Sequence, residues 1–152
     1  MYKATVRALV RRGIKGLNEG DPSFLMNLAS PDAEIVFPGD NSWAAMHRPV
    51  EKGRHQHATH RGLDECRTFA DRFTSEGIRF QIEDILVNGP PWNTRVAIRA
   101  YDFIAGDAGD DYNNRVVAFL EIRWGRLIRW EDYEDTERLA AWDERRADTT
   151  TT

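Results

Sequence analysis

The sequence predicts an α+β fold, with N-terminal helices packed on one face of a curved, mostly antiparallel sheet. Two observations carry that expectation. Apolar residues recur mainly at helical spacing before Gly77 and alternate singly after it. Turn residues then divide the alternating half into consecutive strands, as in a meander whose helices are segregated to one side.

Each element has its own signal. Val6, Leu9, Val10, Gly13, Ile14 and Leu17 form one helical stripe, with Arg7, Arg11, Arg12 and Lys15 largely outside it, and Gly20 can end that helix. Asp21 and Pro22 start a short second helix as N-cap and first helical residue, and Phe24, Leu25 and Leu28 would bury it. Ser30-Pro31-Asp32 reads as a turn, and Ala33 to Phe37 as a short strand stopped by Pro38-Gly39. The polar stretch Asp40 to Arg61 has no clear period, carries Trp43, Met46 and all four histidines, and reads as a lid or binding loop. Leu63, Cys66, Phe69, Ala70 and Phe73 mark a third helix, with Gly77 at its C-terminal cap.

Ile78, Phe80 and Ile82 then alternate with polar residues, after which the phase slips and Ile85 and Val87 continue it. A bulge near Glu83-Asp84 accounts for the slip and would curve the sheet. Asn88-Gly89-Pro90-Pro91 is a turn, Arg95 to Ile104 a strand, and Gly106 to Asp111 a loop. Tyr112 to Trp124 and Arg126 to Glu134 form a long hairpin through Gly125. Asp135 caps a last helix, with Glu137 in its first turn and Leu139 and Trp142 on one side. No repeat or linker divides the chain, so residues 1–147 are read as one domain and 148–152 as a frayed tail.

Composition narrows the function classes. A chain of 152 residues suits one core, and a hydrophobic content of 41% with seven Phe, five Trp and four Tyr can fill it. The formal net charge of -4, with basic groups scattered among acids, provides no positive field for nucleic acid. The one cysteine, Cys66, cannot form an internal disulfide, and on an apolar stripe it reads as a buried structural thiol. No apolar run approaches the ~20 residues of a membrane span, and charges from Lys3 onward interrupt any leader, so the expected location is the cytoplasm. No phosphate-binding glycine pattern is present, and no cofactor is expected.

The element order with its punctuation resembles the SnoaL-like branch of the nuclear transport factor 2-like superfamily. The matching segments are Asn18-Glu19-Gly20-Asp21, Ser30-Pro31-Asp32-Ala33, Phe37-Pro38-Gly39, Arg61-Gly62 and Tyr112-Asn113. The most specific is Arg123-Trp124-Gly125-Arg126-Leu127-Ile128 leading to Asp132-Tyr133-Glu134-Asp135-Thr136. The resemblance covers nearly the whole chain. It implies a cone-shaped, cystatin-like roll enclosing an apolar pocket between the concave sheet and the helices, often in a homodimer paired through the outer sheet face. The superfamily includes polyketide cyclases, steroid isomerases, dehydratases, epoxide hydrolases and non-catalytic binding domains, so the fold does not set the chemistry.

Within that geometry Asp132 is the sharpest catalytic candidate. It lies late in the last strand and shares a face with Ile128, Trp130 and Glu134 by alternation. A carboxyl group aimed into an apolar interior has a raised pKa and suits proton transfer near neutral pH. Asp102 is its natural catalytic partner, the one acid on a strand face otherwise made by Ile98, Ala100 and Ile104. Two such acids can divide acid and base roles. Trp130-Glu131-Asp132-Tyr133 also resembles the segment with the water-activating Asp of limonene epoxide hydrolases, and Asp102 matches their second acid. The arginine that bridges the two acids there falls at Ala100, and the water-holding Tyr and Asn fall at Ile35 and Phe37, so epoxide opening is disfavoured.

Trp130, Tyr112, Asn114, Val116, Ala118 and Trp43 are the candidate substrate-binding residues, Tyr112 and Asn114 as hydrogen-bonding groups at the strand mouth. His47, His55, His57 and His60 lack an acidic or thiol ligand beside them, so no metal is expected. One of them could instead close over the pocket as an acid or base. Arg115, Val117, Phe119, Glu121 and Arg123 form an outer face suited to pairing with a second copy. The leading function is a cofactor-independent acid-base enzyme, of isomerase, cyclase or dehydratase type, acting on an apolar polyketide-, steroid- or terpenoid-like molecule. The alternatives are a small-molecule binding protein without turnover and an assembly module.

Overall fold

The structure, a computed structural model, describes residues 1–104 and 112–150. The loop expected over Gly106 to Asp111 lies outside the described residues. The chain opens with α1 (Tyr2–Asn18), whose stripe of Val6, Val10, Gly13, Ile14 and Leu17 is buried. Gly13 approaches the next helix so closely that a Cβ there would sit 2.4 Å from Leu25 Cδ2. That absent methyl lets α2 (Ser23–Leu28) fold back on α1. Asp21 Oδ1 accepts the Ser23 amide at 2.9 Å, the expected capping role, although the helix begins one residue after Pro22.

Six strands follow among the described residues: β1 (Ala29–Pro38), β2 (His57–Arg61), β3 (Ile78–Asn88), β4 (Thr94–Ile104), β5 (Asn113–Arg123) and β6 (Arg126–Glu134). They form one sheet in the order β2-β1-β6-β5-β4-β3. All pairings are antiparallel except β1 with β6. Helices α3 (Gly62–Ser75) and α4 (Thr136–Thr150) complete the fold. Asn18 ties the end of α1 to the sheet, donating to Phe80 O and accepting the Phe80 amide, both at 2.8 Å.

The expected bulge is present: the β3–β4 register shifts between Ile82 and Asp84, and burial resumes at Ile85 and Val87. The β5–β6 turn places Trp124 at φ 50 and Gly125 at φ 77, the left-handed pair that matches the twist of a hairpin. Asp135 Oδ1 accepts the Arg138 amide at 3.1 Å, capping α4.

Four expectations are corrected. Ser30-Pro31-Asp32 does not precede the first strand. It lies inside β1 as an irregularity, because β1 advances from Ala29 to Glu34 while β6 advances only from Leu127 to Arg129. The polar stretch is not a structureless lid: it holds a short 3-10 turn (Ala44–Met46) and β2. In β2, Ala58 and His60 point inward while His57, Thr59 and Arg61 do not, an alternation hidden because histidine was read as polar. Ile128 does not share the Trp130 face, since a register shift between Glu121 and Ile122 gives that place to Leu127. The tail is shorter than expected, with α4 continuing to Thr150. Among the described residues, no helix is long and apolar enough to cross a membrane.

Candidate active site

Between the inner sheet face and the helices lies a cavity of about 80 Å³. Its walls are apolar and strongly aromatic: Phe37, Trp43, Phe69, Phe73, Phe80 and Trp130 all line it. These rings support one another. Phe37 and Phe69 centroids lie 5.3 Å apart, Trp43 and Phe69 5.6 Å, and Phe73 and Phe80 4.9 Å. The half-buried Leu25, Met26, Glu34, Ile35 and Leu127 mark the side nearest solvent. The volume holds about two or three waters at ~30 Å³ each, well below the ~300–1,000 Å³ of a drug-sized site. The cavity as it stands is too small for a ring-sized molecule unless lining side chains move.

At one end of this cavity stand three carboxyl groups: Asp102 on β4, and Asp132 and Glu134 on β6. The sheet register brings them together. Ala118 lies opposite both Ile98 and Asp132, Val116 opposite both Ala100 and Glu134, and Asn114 opposite Asp102. Asp102 and Asp132 are each 6% exposed, so both leave water. Burial raises all three pKa values. Asp102 lies well above the usual carboxylate range, through burial and then the nearby charges of Glu134 and Asp132. Burial pushes Asp132 up to about 7, against the Trp130 indole N–H that donates to its Oδ1 at 2.6 Å. Glu134 rises to about 8, through burial first and the charge of Asp132 second. Burial thus moves Asp132 and Glu134 toward the range where general acids and bases work best, with Asp102 held well above the usual carboxylate range.

Glu134 was on the Asp132 face in the sequence but was not singled out. The signal was present in the alternation, and what hid it was its place at the last residue of the strand. Tyr112 and Asn114 hold it. The Asn114 amide donates to Tyr112 Oη at 2.9 Å, to Glu134 Oε2 at 3.2 Å and to Asp135 O at 2.9 Å. Tyr112 Oη donates to Glu134 Oε2 at 3.3 Å. Burial raises the Tyr112 pKa, so its phenol stays protonated. Among the described residues, Asp102 Oδ1, Glu134 Oε1 and Asn114 Oδ1 are buried without a hydrogen-bond partner.

The other sequence candidates divide. Trp130, Tyr112 and Trp43 line the cavity. Val116 and Ala118 are buried behind it in the core, and Asn114 touches it only through Glu134 and Tyr112. Arg99 lies on the outer side, 3.2 Å from Glu83, so no guanidinium bridges Asp102 and Asp132. His47 and His60 pair through their Nδ1 atoms at 2.7 Å, and His60 packs on Phe69 behind the wall. Neither histidine lines the cavity, and the acid-base role considered for this loop has no support in its placement. Among the described residues no three His, Cys, Asp or Glu side chains are arranged to hold a metal ion. Cys66 lines the cavity as a buried thiol whose pKa burial raises to about 11.

The sequence pattern of the SnoaL-like domain matches residues 10–130. Solved structures with the same fold include an NTF2-like protein of unknown function from Burkholderia pseudomallei, at 16% identity and TM-score 0.70, covering 90% of this chain and 95% of that one. TerC, co-crystallised with polyporic acid, aligns at 17% identity and TM-score 0.69, over 90% of this chain and 96% of its own. IdmH from Streptomyces antibioticus, a proposed polyketide cyclase, aligns at 19% identity and TM-score 0.63, over 90% and 96% respectively. No curated protein sequence matches.

Proposed function

The chain belongs to the SnoaL-like domain family, and on that premise we propose that it is a cofactor-independent acid-base enzyme of the isomerase or cyclase type, acting on an apolar small molecule. The observation that carries this reading is the cluster of two buried aspartates and the half-buried Glu134 at one end of an aromatic cavity. Asp132, ionised near pH 7, takes a proton from carbon next to a carbonyl. Asp102, held protonated by burial and by its neighbours, donates a hydrogen bond to the oxygen that becomes negative. Glu134 keeps a proton to return. The likeness to IdmH and to TerC supports the substrate class only as an expectation, since identities of this size speak for the fold alone.

Solvent deuterium incorporation tests the reaction class without a known substrate. A panel of small cyclic ketones and enones in D₂O, followed by proton NMR, should exchange α-protons with wild-type protein and not with Asp132→Asn. Equal exchange by the variant would end the assignment of Asp132 as base.

A second copy of the chain is the partner proposed for the outer sheet face. Val117, Phe119 and Tyr133 are 37%, 38% and 55% exposed there, and Val117 and Tyr133 are directly opposed on β5 and β6. Phe119→Glu should convert a dimer to a monomer in sedimentation. A wild-type protein that sediments as a monomer would remove the proposal.

A further inference from the structure

The polar end of the cavity has an excess of acceptors. Its N–H and phenol donors, the Trp130 indole, the Asn114 amide and the Tyr112 hydroxyl, are already committed. Protonated Asp102 and Glu134 add an O–H each, and the Trp43 indole of the cavity wall is unpaired among the described residues. Asp102 Oδ1, Glu134 Oε1 and Asn114 Oδ1 remain without partners among the described residues, in side chains that are buried or, for Glu134, turned inward. A buried polar atom left unpaired costs about 1–3 kcal/mol. Native sites that tolerate several such atoms commonly use them. Every ionisable side chain that faces the cluster or lines its cavity is acidic or weakly so: Asp102, Asp132, Glu134, Tyr112, the more distant Glu34 and the thiol of Cys66, with Glu131 and Asp135 flanking β6. Among the described residues, no Lys, Arg or His lines the cavity. The nearest rings, Phe80, Trp130 and Tyr112, present π-systems of the kind that attract cations.

From the unpaired acceptors, the uniformly acidic polar lining and the aromatic walls, we infer that the molecule bound in this cavity carries a basic nitrogen, entering as an ammonium or as an amine that takes a proton from the cluster. An alkylammonium group supplies up to three N–H donors for the three unpartnered oxygens and one positive charge. With one carboxyl ionised against it and the other two protonated, the buried site is electrically neutral. Two acids then keep the protons that the proposed chemistry needs. A metal ion is a poorer occupant, because these side chains are not arranged as a ligand set. This inference rests on the cavity reading of the proposed function and specifies its ligand, with no chemical step of its own.

The size of the cavity selects small probes, so n-butylamine and its neutral counterpart 1-butanol suit the test. Binding is read by the Trp130 indole signal in ¹⁵N-resolved NMR, since that N–H donates to Asp132 Oδ1. Wild-type protein should bind n-butylamine at least about tenfold more tightly at pH 8 than at pH 5, because binding ionises a carboxyl group. Affinity should fall again above about pH 10.4, where an alkylammonium loses its charge. The double variant Asp132→Asn/Glu134→Gln should lose amine binding and keep 1-butanol binding, with a thermal melt confirming that it folds. Equal binding of the two probes, or amine binding without pH dependence, would overturn the basic-nitrogen inference and leave the acid-base reading standing. Failure of both probes would overturn it and also remove the accessible cavity on which the proposed function depends.

Discussion

Two groups of inward-turned titratable side chains lie on the inner side of this sheet, each with an unpaired polar atom among the described residues, and they differ in what adjoins them. At one end Asp102, Asp132 and Glu134 have raised pKa values and a cavity beside them, and Asp102 and Glu134 each have an oxygen unpaired among the described residues. Near the other edge His60 is only 1% exposed, and its pKa is pushed down to about 4, by burial first and by His47 second. It sits against the Phe69 ring, with Arg48 and Glu65 paired alongside at a nitrogen–oxygen distance of 2.5 Å. Burial has driven both groups toward their neutral forms, as it must. The difference is what adjoins them. The carboxyl groups border a cavity and can meet a ligand, whereas His60 borders packed side chains. A perturbed titration marks a functional site only where there is room for something to react.

The contrast can be broken most decisively by catalysis. Asp132→Asn should reduce α-proton exchange by about 10²–10⁴-fold, the usual contribution of a positioned base, while His60→Phe leaves it within a few-fold. Comparable losses in the two variants would dissolve the distinction between the sites.

The next largest effect is on stability, and its sign differs between the regions. The folded carboxyl groups keep protons that the unfolded chain sheds near pH 4. Their contribution is therefore present below that pH and is lost as pH rises through about 7 for Asp132 and about 8 for Glu134. Asp102→Asn, neutral at every pH, should stabilise the protein by about 1–3 kcal/mol at pH 8 and by little at pH 4, read from urea midpoints. Destabilisation at pH 8 would show that Asp102 is held as a stabilising carboxylate instead.

His60 acts in the reverse direction. Its folded pKa of about 4 lies below the unfolded value near 6.5, so its stabilisation is complete above 6.5 and is lost as pH falls through 4. His60→Phe should flatten the stability profile by about 1–2 kcal/mol across that window. An unchanged acid slope would mean that His60 already carries its proton when folded.

The smallest effect sharpens the carboxyl end alone. Trp130→Phe removes the indole N–H that favours ionised Asp132 at 2.6 Å. The acid limb of the exchange profile, set by Asp132, should move up by about one pH unit or less.

Much of this architecture was legible before any coordinates. The stripe of α1, the β3 bulge, the Asp135 cap and the outward Val117 and Phe119 all follow from local periodicity and capping chemistry. The inward direction of Asp102 and Asp132 follows from the same alternation, because successive strand residues must face opposite sides. β2 and the irregular start of β1 were missed, since both depend on pairing with distant strands.

Local alternation suffices to assign shared faces wherever the strand pairing is regular, and it fails at Ile128, where the β5–β6 register shifts. Only the tertiary structure decided what each face meets. Register set Glu134 beside the two aspartates and placed Val116 and Ala118 behind them in solid core. Packing left a cavity beside the carboxyl groups and set the Phe69 ring against His60. Such distances between elements arise from the sum of many side-chain volumes, so no local pattern contains them.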